Sequence, residues 1–134
     1  MKKTGGTIET DIYKLIAASL KTGINGQVYN SAGRPTDSQK EDAVIIFMTG
    51  TDGQIQEGIV TVNIYVPKLQ SESGRKIKDT AKCRTLEEFL QTTIDALSST
   101  EYDLSRKSII KTFDEETIDQ NFVNAQIYFR RITK

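Results

Sequence analysis

Residues 56–67 read QEGIVTVNIYVP. Val60, Val62, Ile64 and Val66 alternate with Ile59, Thr61, Asn63 and Tyr65. A strand turns successive side chains to opposite faces, so one face here is uniformly apolar and the other mixed. That pattern belongs to a sheet covered on a single side. Pro67 ends the run, because it lacks the N–H that a sheet ladder needs.

The neighbouring segments extend this sheet. AVIIFMT, residues 43–49, is short and β-branched, and Asp52-Gly53 in the following GTDGQ is a hairpin signal. Near the end of the chain Val123, Ala125, Ile127 and Phe129 alternate with Phe122, Asn124, Gln126 and Tyr128. Residues 102–113 carry Leu104, Ile109, Ile110 and Phe113, and DEET joins the two segments as a hairpin. Ile24–Asn30 is a further short strand.

Two segments carry helical periodicity. Ile8, Ile12, Leu15, Ile16 and Leu20 form one stripe, with Thr7 as N-cap, Glu9 and Asp11 suited to the positive helix end, and Gly23 as a stop. Leu86, Phe89, Leu90, Thr93, Ile94 and Leu97 form the second. Thr85 and Glu88 have capping-box spacing there, and Asp79 marks an earlier starting point. Residues 1–6 read as a loose start, and 68–80 (KLQSESGRKIKDT) as a long polar loop. The order is α-β-β-β-α-β-β. The expected fold is α+β in two layers, a mostly antiparallel sheet with both helices on one face.

The bulk numbers agree with one thin-cored domain: 134 residues, 37% of them apolar. The lone Cys83 excludes an intramolecular disulfide and is consistent with a reducing compartment. No apolar run approaches the about 18 residues of a membrane span, and MKKTGGTIET has no apolar stretch behind its lysines, so a cytosolic protein is expected.

Eighteen basic residues balance eighteen acidic ones, which argues against general affinity for nucleic acid. The order of charges is blocky. Residues 75–84 hold five basic residues and one acidic; residues 85–103 hold five acidic and no basic. Such blocks are solvated faces or complementary contact patches.

Catalytic sets do not assemble from this sequence. There is no histidine, hence no imidazole base or ligand, and one cysteine cannot complete a zinc site. Lys82 and Arg84 flank Cys83, but the thiol has no base and reads as a small packed residue. Glu41-Asp42 and Asp114-Glu115-Glu116 read as surface and turn chemistry rather than magnesium sites. SGRK at 73–76 lacks phosphate-loop spacing, and no strand precedes Gly5-Gly6. Arg130 and Arg131 near Tyr128 are too few for a nucleic-acid face. No catalytic, cofactor or metal residues are assigned, and the balance favours a structural or binding protein.

DIYKLIAASL, INGQVYNSAGRPTDSQKEDAVI, QEGIVTVNIYVP and FVNAQIYFRRI, together with their order, resemble bacteriophage tail-terminator (tail-completion) proteins. The resemblance implies a small α+β subunit that forms a ring, commonly of six. Such a ring caps the tail tube, stops its growth and offers the head a docking surface. Its implied partners are further copies, the tail tube protein and the head–tail connector, with no membrane, no cofactor and no specific nucleic-acid binding. It implies residence in the bacterial cytoplasm during assembly and then at the head-proximal end of the tail. Related folds serve other neck and head-completion proteins. From a different class, a small ligand-binding domain or enzyme would carry a cleft near 68–80.

One polar stretch is left over. SAGRPTDSQKED, residues 31–42, has a single apolar residue, an alanine, between two strands. Connections this long are commonly functional or disordered, so it reads either as a mobile solvated connector or, if the resemblance holds, as an arm reaching a neighbouring subunit or the tube. Its candidate contact residues are Arg34, Asp37, Lys40 and Glu41, with Arg34 as anchor; Arg75, Lys76 and Lys78 facing Glu87 and Glu88 of a neighbour are the second candidate set.

Overall fold

The computed structural model describes residues 1–31 and 33–133. Its elements are α1 (Gly5–Lys21), β1 (Val28–Asn30), β2 (Ala43–Gly50), β3 (Ile55–Pro67), β4 (Leu69–Gln70), β5 (Lys76–Ile77), α2 (Thr80–Asp95), β6 (Asp103–Arg106), β7 (Lys111–Glu115), a 3-10 turn (Glu116–Ile118) and β8 (Gln120–Ile132). The expected α+β fold and its order are present. The main sheet runs β1-β2-β3-β8, with β6 and β7 both paired to the far side of β8.

The spine is β3 against β8, antiparallel from Ile55↔Ile132 to Pro67↔Gln120. Val60, Val62, Ile64 and Val66 of β3 and Val123, Ala125, Ile127 and Phe129 of β8 are all buried. They pack with Ile8, Ile12, Ile16 and Leu20 of α1 and with Cys83, Leu86, Leu90 and Ile94 of α2. Each such aliphatic side chain contributes about 1.5–3 kcal/mol when fully buried. Cys83 lies in this core, and burial pushes its thiol above the usual value. No helix among the described residues is long and apolar enough to cross a membrane.

Several boundaries differ from the sequence expectation. α1 starts at Gly5 because Thr4, not Thr7, is its N-cap, with its side chain accepting from the Thr7 amide. Glu9 is buried beneath the sheet edge, where its carboxylate accepts from the Phe47 amide and the Ser31 hydroxyl. α2 takes the earlier start: Asp79 accepts from the Lys82 amide, and Thr85 lies inside the helix, its hydroxyl donating to the Ala81 carbonyl. The segment 102–113 is two strands. β6 pairs with β8 as far as Arg106↔Ile127 and β7 resumes at Lys111↔Asn124, so four residues on this side stand against two of β8 and the ladder is broken between them. The 68–80 loop contains its own hairpin, β4 with β5.

The strand β1 pairs with β2 in parallel, Val28↔Ala43 to Asn30↔Ile45. Parallel neighbours need a crossover of about a dozen residues, because the chain must return to its starting end. Residues 31–42 are that return, so the topology sets their length.

The first residues are tied down rather than loose. Gln56 and Lys3 exchange two hydrogen bonds, Gln56 Nε2 to Lys3 O at 2.9 Å and Lys3 N to Gln56 Oε1 at 3.1 Å. Arg131 donates to Met1 O, Gln56 and Glu101. Lys3 Nζ lies 2.6 Å from both Asp11 and Glu101, and the Tyr102 hydroxyl donates to Asp11 at 2.7 Å. Burial would raise the Asp11 pKa, but hydrogen bonds from Lys3 and Tyr102 outweigh it and hold the carboxyl below its usual range. The Lys3 hydrogen bond lowers Glu101 as well, with burial opposing and Arg131 assisting. Burial would lower Lys3, yet its two carboxylate partners raise it.

These shifts fix the pH response. Asp11 and Glu101 contribute stability above their unfolded pKa values, near pH 4, and lose it as pH falls through their lower folded values. Lys3 contributes below its unfolded value and loses that contribution as pH rises through its higher folded one. Thermal unfolding followed by circular dichroism from pH 7 downward should show a fall in Tm below about pH 4. That fall should be shallower in Lys3→Met. Parallel acid limbs in the two proteins would show that the network does not govern acid stability.

Candidate protein-interaction surface

The polar stretch 31–42 is packed onto its own domain. Arg34 Nε donates to Asp42 Oδ2 at 2.9 Å, with the two side chains only 8% and 2% exposed. Arg34 Nη2 reaches Gln120 Oε1 at 2.9 Å and the Lys40 carbonyl at 3.2 Å, and the guanidinium lies 4.2 Å above the Tyr65 ring. Asp42 is satisfied from three sides: by Arg34, by the Ser38 hydroxyl and by the Gln27 amide at 2.8 Å. Gln120 Nε2 also donates to the Ser38 carbonyl at 2.8 Å. Gly26 sits against this carboxylate so closely that a Cβ would lie 2.1 Å from Asp42 Oδ1 and 2.5 Å from the Glu41 carbonyl.

The anchor role expected of Arg34 is therefore corrected. Its guanidinium points inward because Asp42, the first polar residue before β2, is buried and needs a cation. Glu41 is likewise internal, accepting from the Asn25 amide and pairing with Lys82 at 3.3 Å. Of the four candidate residues in the stretch, Asp37 and Lys40 are exposed. Ala32 lies outside the described residues.

The second candidate set divides differently. Arg75, Lys76 and Lys78 are exposed on the β4–β5 hairpin and its exit, and none joins an ion pair among the described residues. Of their proposed counterparts, Glu87 accepts from the Thr112 hydroxyl at 2.7 Å, while Glu88 is exposed. The rest of the acidic block is largely paired within the chain: Asp95 with Arg106, Glu101 with Lys3 and Arg131, Asp103 with Arg130. It is not one patch.

The sheet face away from the helices carries Thr61, Asn63, Asn124 and Gln126 at its centre, with Asn124 donating to Asn63 at 2.7 Å. Tyr65, Phe122 and Phe113 form an aromatic row across β3, β8 and β7, with centroids 5.7 and 5.4 Å apart. Burial alone cannot be read from alternation on such a mixed face, so this row carries no signal in the sequence.

Clefts are open and lie elsewhere. The largest described, about 610 Å³, is lined by Ile94, Asp95, Leu104 and residues 105–109; another of about 310 Å³ lies between Arg34, Pro35, Tyr65, Glu115 and Ile118. No residue of 68–80 lines any of the five described. Among the described residues no group of three or more Cys, Asp or Glu is placed to hold a metal ion. No protein-family model and no curated protein matches the chain.

The buried pair gives a direct test. Arg34→Ala leaves the Asp42 carboxylate buried without its cation and should cost about 3–5 kcal/mol. Arg75→Ala on the exposed hairpin should stay within about 0.5 kcal/mol of the parent. Urea unfolding of both variants measures the contrast; equal small effects would place Arg34 outside the fold's support.

Proposed function

We propose that this chain is a structural subunit of the head-proximal end of a phage tail, a tail terminator. Copies assemble into a ring, six being the expected number, that caps the tail tube, ends its growth and presents a docking surface to the head. The protein works in the bacterial cytoplasm during assembly and remains in the virion.

The resemblance noted in the sequence falls on the load-carrying elements. Its four phrases lie in α1, in β1 with its crossover and β2, in β3, and in β8. They cover the sheet spine and the helix packed on it, not one local motif.

The observation that carries the reading is the β4–β5 hairpin. Its strands form a separate two-stranded sheet, and its cations have no ion-pair partner among the described residues. Apolar side chains and unpaired charge held out from a compact body suit a subunit that meets other proteins. The zero net charge suits a lumen through which DNA passes without being gripped.

Electron microscopy of particles assembled without this gene tests the function. Overlong tails are expected. Tails of normal length that fail to join heads would move the protein to the connector, and normal particles would remove it from the tail altogether.

A further inference from the structure

We propose that residues 68–78 form a docking arm that seats on the acidic turn Asp114–Asp119 of a second copy of this chain. The inference rests on the reading of the protein as an assembly subunit and names the contact between subunits.

The arm is small and organised. Leu69 faces Ile77 and Gln70 faces Lys76 across its two-residue strands. A hairpin of this size is marginal in water on its own. Its tip is nevertheless closed: Ser71 N donates to Arg75 O at 2.8 Å, Gly74 N to Ser71 O at 3.0 Å and Arg75 N to Ser71 Oγ at 3.0 Å. Gly74 takes φ +83°, a conformation that only glycine adopts freely. An arm already shaped in the free chain loses less entropy when it docks.

What the arm displays asks for an acidic partner with an apolar edge. Leu69 and Ile77, 48% and 39% exposed, make one apolar pair, and Arg75, Lys76 and Lys78 surround it. The acidic turn supplies the complement. Asp114, Glu115, Glu116 and Asp119 fall within six residues, and among the described residues only Lys68 forms an ion pair with them, at 2.7 Å to Asp114. Phe113, 39% exposed, lies beside them.

Both elements emerge from the same end of the sheet. Pro67↔Gln120 is the last pair of β3 with β8, and the Lys68 amide donates to the Asp119 carbonyl at 3.2 Å. The root of the arm is thus fixed to the turn, Lys68 included, while Arg75, Lys76 and Lys78 form no ion pair among the described residues. A second copy brings a turn that is not fixed to this root. Arm against turn joins two different patches, a heterologous contact, which closes into a ring when the rotation allows.

The test uses two full-length variants, one with the arm reversed (Arg75→Glu, Lys76→Glu, Lys78→Glu) and one with the turn reversed (Glu115→Lys, Glu116→Lys, Asp119→Lys). Circular dichroism first establishes that both fold. Sedimentation velocity then follows the parent, each variant and their equimolar mixture. The parent should self-associate, more strongly at low salt. Each variant alone should be weakened by more than about tenfold, since like charges then meet at the contact. The mixture, which restores opposite charges at every contact, should recover the parental association. An unrestored mixture, a parent that is monomeric at every concentration, or an arm that retains duplex DNA in place of a second copy overturns the proposal. Tail length is scored separately in particles assembled without this gene, so a restored mixture together with normal tails in those particles would remove the tail role and keep the contact.

Discussion

Thirteen residues of β3 lie opposite thirteen of β8, and every second pair turns its side chains toward the same two helices. This one-sided burial governs the rest. It requires both helices on one layer, and it leaves a face of amides, hydroxyls and aromatic rings on the other. β2 pairs with β3, and β1 takes the outer edge of β2. There β1 runs parallel, and a crossover becomes obligatory.

The polar stretch 31–42 is that crossover, and its composition follows from where it runs. It begins and ends on backbone that must be satisfied at a sheet edge. Ser31 N donates to Ile45 O, Ala43 N to Gln27 O, and Gly26 N to Glu41 O. Asp42 binds the incoming turn through the Gln27 amide and holds the returning chain through Ser38 and Arg34. Burying such a pair offers little net stability over an apolar filling, but removing one partner is costly. The stretch is therefore support for the domain, and the proposed contact falls on the 68–78 hairpin instead.

The parts legible in the sequence were those with a period. β3, β8, α1 and α2 show their buried faces through alternation or helical spacing, and the single-sided sheet follows from them. The parts that were not legible depend on distant partners. Arg34 is drawn inward by Gln120, which stands 86 positions away, and by a carboxylate whose burial no local pattern announces. The first residues are held by Gln56 and Arg131. The arm has strands too short to alternate, and its turn rests on Ser71 and Gly74 rather than on a hairpin dipeptide. Of the candidate contact residues, the exposure of Arg75, Lys76 and Lys78 was readable because a basic cluster with no apolar period belongs on a surface. Glu41 and Glu87 were not, since their partners Lys82 and Thr112 come from other elements.

The central claim is a division of labour: 31–42 belongs to the body, and 68–78 is an arm free to meet a partner. Segment-resolved amide hydrogen exchange on the dilute and the concentrated protein measures both at once. In the dilute protein the amides of Asn25, Gln27, Ser31 and Glu41 should exchange as slowly as the sheet, while Ser71, Gly74 and Arg75, hydrogen-bonded within a small exposed hairpin, exchange faster than the sheet and slow further on association. Rapid exchange across 25–42 together with arm amides whose rates do not change on association would contradict it.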